Sequence, residues 1–173
     1  MSLVSEFNTF ARLPERKPEH ARINRIVSET IALFSAHDNI IFKLDLGDDV
    51  PEISADRGLL RQALNNLITN AVQAIEGNGT ITVSSRFDSA AQEVVLVIHD
   101  TGSGIDEKNL ERIFEPGWTS GKSSTGLGLA IVEKIVFEHN GRITCDSRKG
   151  DWTVFDISLR VNSGVNDGGN TDS

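Results

Sequence analysis

The amino-acid sequence predicts one α/β domain in which helices are interleaved with an antiparallel or mixed sheet, not a doubly wound parallel one. Two observations lead there. Segments with apolar residues every three or four positions take turns along the chain with short runs of alternating polarity. Strand-like neighbours are joined by short polar or glycine turns, as in hairpins, where a parallel crossover would need an intervening helix. The 173 residues suit one ordinary domain, and 38% hydrophobic against 24% charged residues supports a sizeable core.

Each element has its own signal. Val4, Phe7, Phe10 and Ala11 recur at helical spacing before Pro14 and Pro18, so residues 1–18 read as the end of a helix and a linker, with an apolar face belonging to sequence outside this chain. Across residues 19–37, Ile23, Ile26, Val27, Thr30, Ile31 and Phe34 mark an amphipathic helix. Residues 39–46 alternate as a strand, and residues 51–55 add a short one. The longest helix spans 57–76 and stops at Gly77-Asn78-Gly79. Residues 80–87 and 93–99 form a hairpin; a glycine-rich region, 101–128, follows and holds a short helix at 107–113. Residues 129–138 are helical, Asn140-Gly141 turns the chain, and 142–146 and 153–161 are the last strands. Residues 162–173 are nearly all Gly, Asn, Asp and Ser, the composition of a disordered tail, which leaves 19–161 as the folded domain.

A net charge of -8 argues against a nucleic-acid partner, because phosphate backbones are bound by clustered Lys and Arg. An acidic protein that binds a nucleotide must use metal ions, backbone N–H groups and a few placed cations. The single cysteine, Cys145, excludes an internal disulfide framework and a cysteine-based zinc site, and is compatible with a reducing cytoplasm. No apolar run approaches the ~20 residues that cross a bilayer, and no signal peptide heads the chain. Any anchor therefore lies outside this sequence, and a cytoplasmic domain is expected.

Four segments could carry chemistry. On the longest helix, Asn66, Asn70 and Gln73 stand at i, i+4 and i+7 beside an apolar face. Asn is a mediocre helix former, and a neutral oxygen can hold Mg²⁺ while waters and phosphates complete the octahedron; plain solvent exposure explains the same stripe. The apolar run 94–98 next delivers Asp100 into Thr101-Gly102-Ser103-Gly104-Ile105, where two glycines permit close backbone approach to a ligand. This carboxylate could accept from an exocyclic amine such as that of adenine. Asp-Thr-Gly also opens an aspartic-protease half-site, but no second copy supplies the partner carboxylate, and long helices flank the motif. In the third segment, Gly117 to Ser123 falls one residue short of the Walker spacing and lacks a preceding strand. It reads better as a glycine-rich lid whose Lys122 can reach phosphate, or as a surface loop with Trp118 tucked into the core. Finally, Gly126 and Gly128 precede a helix whose unpaired N–H groups and dipole favour an anion.

An Asn-bearing helix, strand-Asp-x-Gly-x-Gly, Phe-x-Pro and Gly-x-Gly-Leu, in that order, match the N, G1, F and G2 boxes. The stretch 57–159 thereby resembles the catalytic domain of sensor histidine kinases in the GHKL superfamily, shared with DNA gyrase B, Hsp90 and MutL. The resemblance implies a Bergerat ATP-binding fold, a two-layer α/β sandwich with a mixed, mostly antiparallel sheet covered on one face by helices. It implies ATP and Mg²⁺ as ligands, Asn70 as the metal-binding residue and Asn66 as its N-box partner. Asp100 would bind the adenine amine in a pocket shaped by Gly102, Gly104 and Ile105, with Thr153 supporting that contact through water. Thr125, Gly126, Leu127, Gly128 and Leu129 would face the phosphates, with Lys122 in the lid. Gly117 and Trp118 follow Pro116 where Phe is common, and Trp152 stands where many relatives have glycine.

ATP-hydrolysing members of the superfamily carry a Glu base one turn before the metal-binding Asn. Here that position is Asn66, which cannot act as a base at neutral pH and so fits a kinase. None of His20, His37, His99 and His139 sits in a His-Glu-x-x-x-Pro setting. The acceptor histidine is therefore expected in a separate dimerisation and phosphoacceptor domain, whose last helix would end in residues 1–18. Phe-x-x-Phe-Ala-Arg-x-Pro there resembles nitrogen-regulation sensor kinases of the NtrY and NtrB type. The implied partners are that domain and, indirectly, a response regulator. The fragment is expected to be monomeric and its parent a homodimer, anchored or not at the inner membrane. A gyrase- or Hsp90-like ATPase, a serine kinase of the anti-sigma-factor type and a pseudokinase that only docks a partner are the alternatives.

Overall fold

The computed structural model describes residues 13–119 and 125–161. Lys122, the run from Val4 to Ala11 expected to be helical and the polar stretch 162–173 lie outside the described residues. Strand β1 (Glu19–Ala21) leads into helix α1 (Ile23–Ala32), followed by β2 (Ile40–Leu46), β3 (Ile53–Ala55) and the long helix α2 (Arg57–Ala74). Strands β4 (Gly79–Asp88) and β5 (Glu93–Asp100), helix α3 (Gly128–Glu138) and strands β6 (Arg142–Arg148) and β7 (Trp152–Arg160) complete the order. The main sheet has the order β2-β4-β5-β7-β6. Its β2–β4 pair is parallel, with α2 in the crossover, and its other three pairs are antiparallel. The mixed, mostly antiparallel sheet is therefore as expected.

Alternation along the strands decides which face meets the helices. Ile81 and Val83 of β4, Leu96 and Ile98 of β5, and Phe155, Ile157 and Leu159 of β7 are buried on one face. Thr82, Ser84, Val97, His99, Val154 and Asp156 on the other are only half-buried. Against the buried face pack Ile26 and Val27 of α1, Leu64, Leu67 and Ile68 of α2, and Ile131, Val132 and Ile135 of α3. Truncating a side chain as enclosed as Leu67 costs about 2–5 kcal/mol, so the roll of α2 about its axis is fixed by its apolar stripe. Asn66 and Asn70, a step away around the helix, are held at its edge.

Helices α2 and α3 are also tied end to end. Asp56 caps α2 by accepting from Leu59 N–H at 3.0 Å. Its own N–H donates to Nε2 of His139, the residue that ends α3, at 3.0 Å. Nδ1 of His139 stands 2.7 Å from Ile135 O, so the buried ring is the neutral tautomer with its proton on Nδ1.

Several element boundaries differ from those read in the sequence, two of them by enough to change the element. The helix expected over 19–37 begins only at Ile23, because residues 19–21 pair antiparallel with β3. Lys17 N–H donates to Asp56 Oδ2 at 2.8 Å just before Pro18, and this anchors the chain alongside β3 in extended form. The helix expected over 107–113 is a single 3-10 turn at Glu107–Asn109. Onward bonds such as Arg112 N–H to Asn109 O and Glu115 N–H to Arg112 O span three residues, so this loop is a chain of tight turns delivering Ile113 to the core.

Candidate functional site

Asp100 is the last residue of β5 and the alternation that buries Leu96 and Ile98 buries it too, at 3% exposure. Its cross-strand neighbours are Ile81 and Thr153. Burial pushes its carboxyl up to about 6, against the opposing pull of the Gly102 N–H and of His99. The Gly102 N–H donates to Oδ1 at 2.8 Å, while Oδ2 accepts nothing among the described residues. A buried acceptor is thus held at the end of the sheet with one oxygen available.

The loop after Asp100 is fastened on both sides. Ser103 N–H donates to Ala74 O, the last carbonyl of α2, at 2.8 Å, and Gly150 N–H donates to Ser103 O at 2.6 Å. Gly104 has φ +62°, and a Cβ there would lie 2.0 Å from Arg148 O, so only glycine lets the loop seat on the β6–β7 turn. At Gly102 a Cβ would crowd Ala74 and Asp100 itself, at 2.7 Å each. Ile105 packs against the core and donates its N–H to Ser147 Oγ at 2.8 Å. Thr153, 3% exposed, places Oγ1 3.1 Å from the same Ser147 Oγ. Asp100, Gly102, Gly104, Ile105 and Thr153, separated by up to about a third of the chain, thus form one cluster.

The expected phosphate end gathers around the start of α3. Leu127 precedes the helix with no side-chain cap, and no acidic residue stands in the first turn. The first internal bond is Ile131 N–H to Leu127 O, so the N–H groups of Gly128, Leu129 and Ala130 come before the helical ladder. Leu127 N–H donates to Thr125 Oγ1 at 3.3 Å. The Leu127 side chain is buried and Leu129 packs on the core, so these two can offer a ligand only backbone. Gly126, at φ +68°, lies so close to the Gly117 and Trp118 backbone that a Cβ would reach 2.5 Å from Gly117 C. Gly117 N–H donates to Gly126 O at 2.9 Å, pinning the loop after Pro116 to the helix start. Trp118 packs against the core.

Asn66 joins the two helices: its Nδ2 donates to Gly128 O at 3.1 Å. Asn70, one turn on and half-buried, makes no hydrogen bond through its carboxamide among the described residues. Among the described residues no three His, Cys, Asp or Glu side chains gather as a metal site. Sequence reasoning missed Ser147. It placed the end of β6 at Asp146, whereas the strand runs to Arg148 and pairs Ser147 with Thr153. A serine two positions beyond Cys145, on the same face of a hairpin as Thr153, was the signal available.

None of the four histidines has the setting of an exposed acceptor on a long helix. His20 lies on β1, His37 follows α1 with Nδ1 3.0 Å from Phe34 O, His99 stacks on Trp152 on the outer sheet face, and His139 is buried.

Residues 55–163 match the family described as histidine kinase-, DNA gyrase B-, and HSP90-like ATPase. The chain is 35% identical to sporulation kinase E of Bacillus subtilis over 92% of its length, and 34% identical to nitrogen regulation protein NtrY of Azorhizobium caulinodans over 87%. It spans 22% and 20% of those two proteins. Relatives named for sporulation and for nitrogen regulation thus stand at nearly the same identity. Among solved structures, the catalytic domain of histidine kinase ThkA superposes with a TM-score of 0.73 at 30% identity, covering 85% of this chain and 96% of that one. Full-length ShkA in complex with AMPPNP superposes with a TM-score of 0.83 at 28% identity, covering 94% and 36%. The four boxes, the sheet order and these likenesses agree, and the chain belongs to the histidine kinase-, DNA gyrase B- and HSP90-like ATPase family, among its sensor histidine kinase catalytic domains.

Proposed function

We propose that this chain is the ATP-binding catalytic domain of a sensor histidine kinase, holding Mg·ATP so that its γ-phosphate passes to a histidine in a separate phosphoacceptor domain. The observation that carries this reading is Asn66. The side chain at the position of the hydrolytic base is an amide whose N–H binds the Gly128 carbonyl at 3.1 Å. It has no basicity with which to activate water, so the γ-phosphate is kept for an acceptor.

Asp100 Oδ2 would accept from the adenine amine, with Thr153 beside it. The open N–H groups of Gly128, Leu129 and Ala130 would meet phosphate oxygens, helped by the helix dipole. Asn70 fits Mg²⁺, since its carboxamide oxygen is uncommitted among the described residues and stands one turn from the Asn66–Gly128 contact. A bound Mg²⁺ would neutralise charge on the transferring phosphate. Lys122 would add a cation from the lid. The phosphoacceptor domain of the same kinase is the direct partner and a response regulator the indirect one; a relative, ThkA, has been solved in complex with its response regulator TrrA. No helix among the described residues is long and apolar enough to cross a membrane, in keeping with a cytoplasmic placement for this domain.

Calorimetric titration of the chain with ATP, with and without Mg²⁺, tests the reading. Asp100→Asn is expected to weaken binding ~10- to 100-fold, the worth of a hydrogen bond to a charged group. Asn70→Asp is expected to alter the Mg²⁺ dependence while leaving metal-free binding nearly unchanged. Indifference to both substitutions would remove the site assignment.

A further inference from the structure

We propose that Ser147 is a specificity-determining residue: by accepting the hydrogen bond of the Thr153 hydroxyl it leaves Thr153 and Asp100 facing the base as acceptors only, so the pocket selects a 6-amino purine over a 6-oxo purine. The proposal rests on the reading of Asp100 as the purine contact.

A serine hydroxyl has one proton and two lone pairs. Ser147 Oγ lies 2.7 Å from Trp152 O, which has no proton to give, so Ser147 donates there. Ile105 N–H occupies one lone pair at 2.8 Å. The remaining contact, 3.1 Å to Thr153 Oγ1, must use the second lone pair, and Thr153 is its donor. The Thr153 hydroxyl therefore has lone pairs left and no further proton to donate. It is 3% exposed, as is Asp100, its cross-strand neighbour on the helix-facing side. Asp100 has Oδ1 taken by Gly102 N–H and offers Oδ2.

Two adjacent buried acceptors require a donor opposite them. An exocyclic amine supplies N–H groups, directly or through a water that donates to Thr153. A 6-oxo group brings only lone pairs to position 6 and leaves the ring's donor one atom away at N1–H, and a buried site built for a donor at position 6 penalises a ligand that lacks one there. The same Ser147 contacts seat the Ile105 end of the loop, so base selection and loop position share one hydroxyl.

The test is the ratio of dissociation constants for ATP and inosine triphosphate, measured on the full chain by calorimetry. In wild type, ATP is strongly preferred. In Ser147→Ala the Thr153 hydroxyl is freed to turn and donate, and the preference is expected to narrow about tenfold, the worth of one hydrogen bond. Ser147→Thr keeps the hydroxyl and is expected to keep the wild-type ratio. An equal loss for both nucleotides in Ser147→Ala would mean that Ser147 only supports the fold, and overturns the proposal; so does a Ser147→Thr ratio as narrow as that of Ser147→Ala. Should Ser147→Ala not fold, Ser147→Cys, a poor acceptor, carries the same expectation, and a wild-type ratio in it is equally fatal. Asp100→Asn separates the two levels. If it weakens ATP while the Ser147 variants leave the ratio intact, only the Ser147 assignment falls. If it changes binding of neither nucleotide, the purine contact itself is misplaced.

Discussion

The two ends of the site are built differently. At the proposed base end, Asp100, Gly102, Ser103, Ile105, Ser147 and Thr153 lie on or beside the ends of β5, β6 and β7 and are each fastened by hydrogen bonds of 2.6–3.1 Å. At the proposed phosphate end, Gly117 N–H donates to Gly126 O just before α3, and the helix start has no side-chain cap. The contrast suits what each end is proposed to recognise. A flat base differs from its rivals by one donor or acceptor, so discrimination needs buried polar atoms that cannot rearrange. A triphosphate is recognised by charge, which backbone N–H groups and a cation satisfy with less exacting geometry.

Glycine substitutions are the sharpest way to break that comparison. Gly104→Ala places a Cβ 2.0 Å from Arg148 O at φ +62°, against a turn held by the sheet. The left-handed backbone alone costs a side chain about 1–2 kcal/mol, and overpacking adds about 1–3 kcal/mol, so a loss of about 3 kcal/mol in urea unfolding is expected. Gly150→Ala, with φ +84° and open space around it, shares only the first cost. Gly126→Ala collides with the Gly117 and Trp118 backbone, which lies in a loop outside the sheet. Its stability loss should be smaller than that of Gly104→Ala, and its effect greater on ATP affinity. Equal unfolding losses at 104 and 126 would mean that the two ends are equally rigid.

A smaller effect comes from the proton on Asp100. Burial raises its carboxyl to about 6, so the folded state holds a proton between its ordinary value of 3.8 and 6 that the unfolded chain has lost. Folding stability from this group therefore falls as pH rises through that window. Ligand binding runs the opposite way, because accepting from an amine favours the ionised carboxylate. ATP affinity should drop about tenfold between pH 7 and pH 5, and Asp100→Asn should flatten that profile. A triphosphate held mainly at the phosphate end would show no such dependence on Asp100.

Much of this could be read in the sequence, and the exceptions are instructive. The parity of β5 carries Asp100 to the same face as Leu96 and Ile98, and the apolar stripe of α2 fixes where Asn66 and Asn70 stand; both are local, periodic facts. Contacts between distant segments were not legible. Nothing near Asn66 in sequence says that its amide meets Gly128 O, and nothing near Ile105 says that its N–H meets Ser147, 42 positions away. Strand β1 was hidden for a similar reason: Glu19–Ala21 is extended because β3 and Asp56 lie beside it, whereas its own residues suit the helix that follows.

Asn66 offers the finest probe, because it is the side chain through which the ordered helix layer reaches the phosphate end. Helix α3 is held to α2 near both termini, by Asn66 Nδ2 to Gly128 O at one and by Asp56 N–H to His139 Nε2 at the other. The two ties are not equivalent. His139 is buried, burial holds its ring below the usual value, and losing the ring would leave the Asp56 N–H without its acceptor and open a gap in the core. Gly128 O keeps a helical partner when Asn66 is gone, and the Asn66 side chain is only half-buried. Asn66→Ala should therefore cost about 1 kcal/mol or less in unfolding, yet loosen the start of α3 enough to weaken ATP binding a few-fold. A urea titration and a calorimetric titration of the same variant decide the point. If stability falls by several kcal/mol, the phosphate end is as tightly built into the fold as the base end, and the contrast between them disappears.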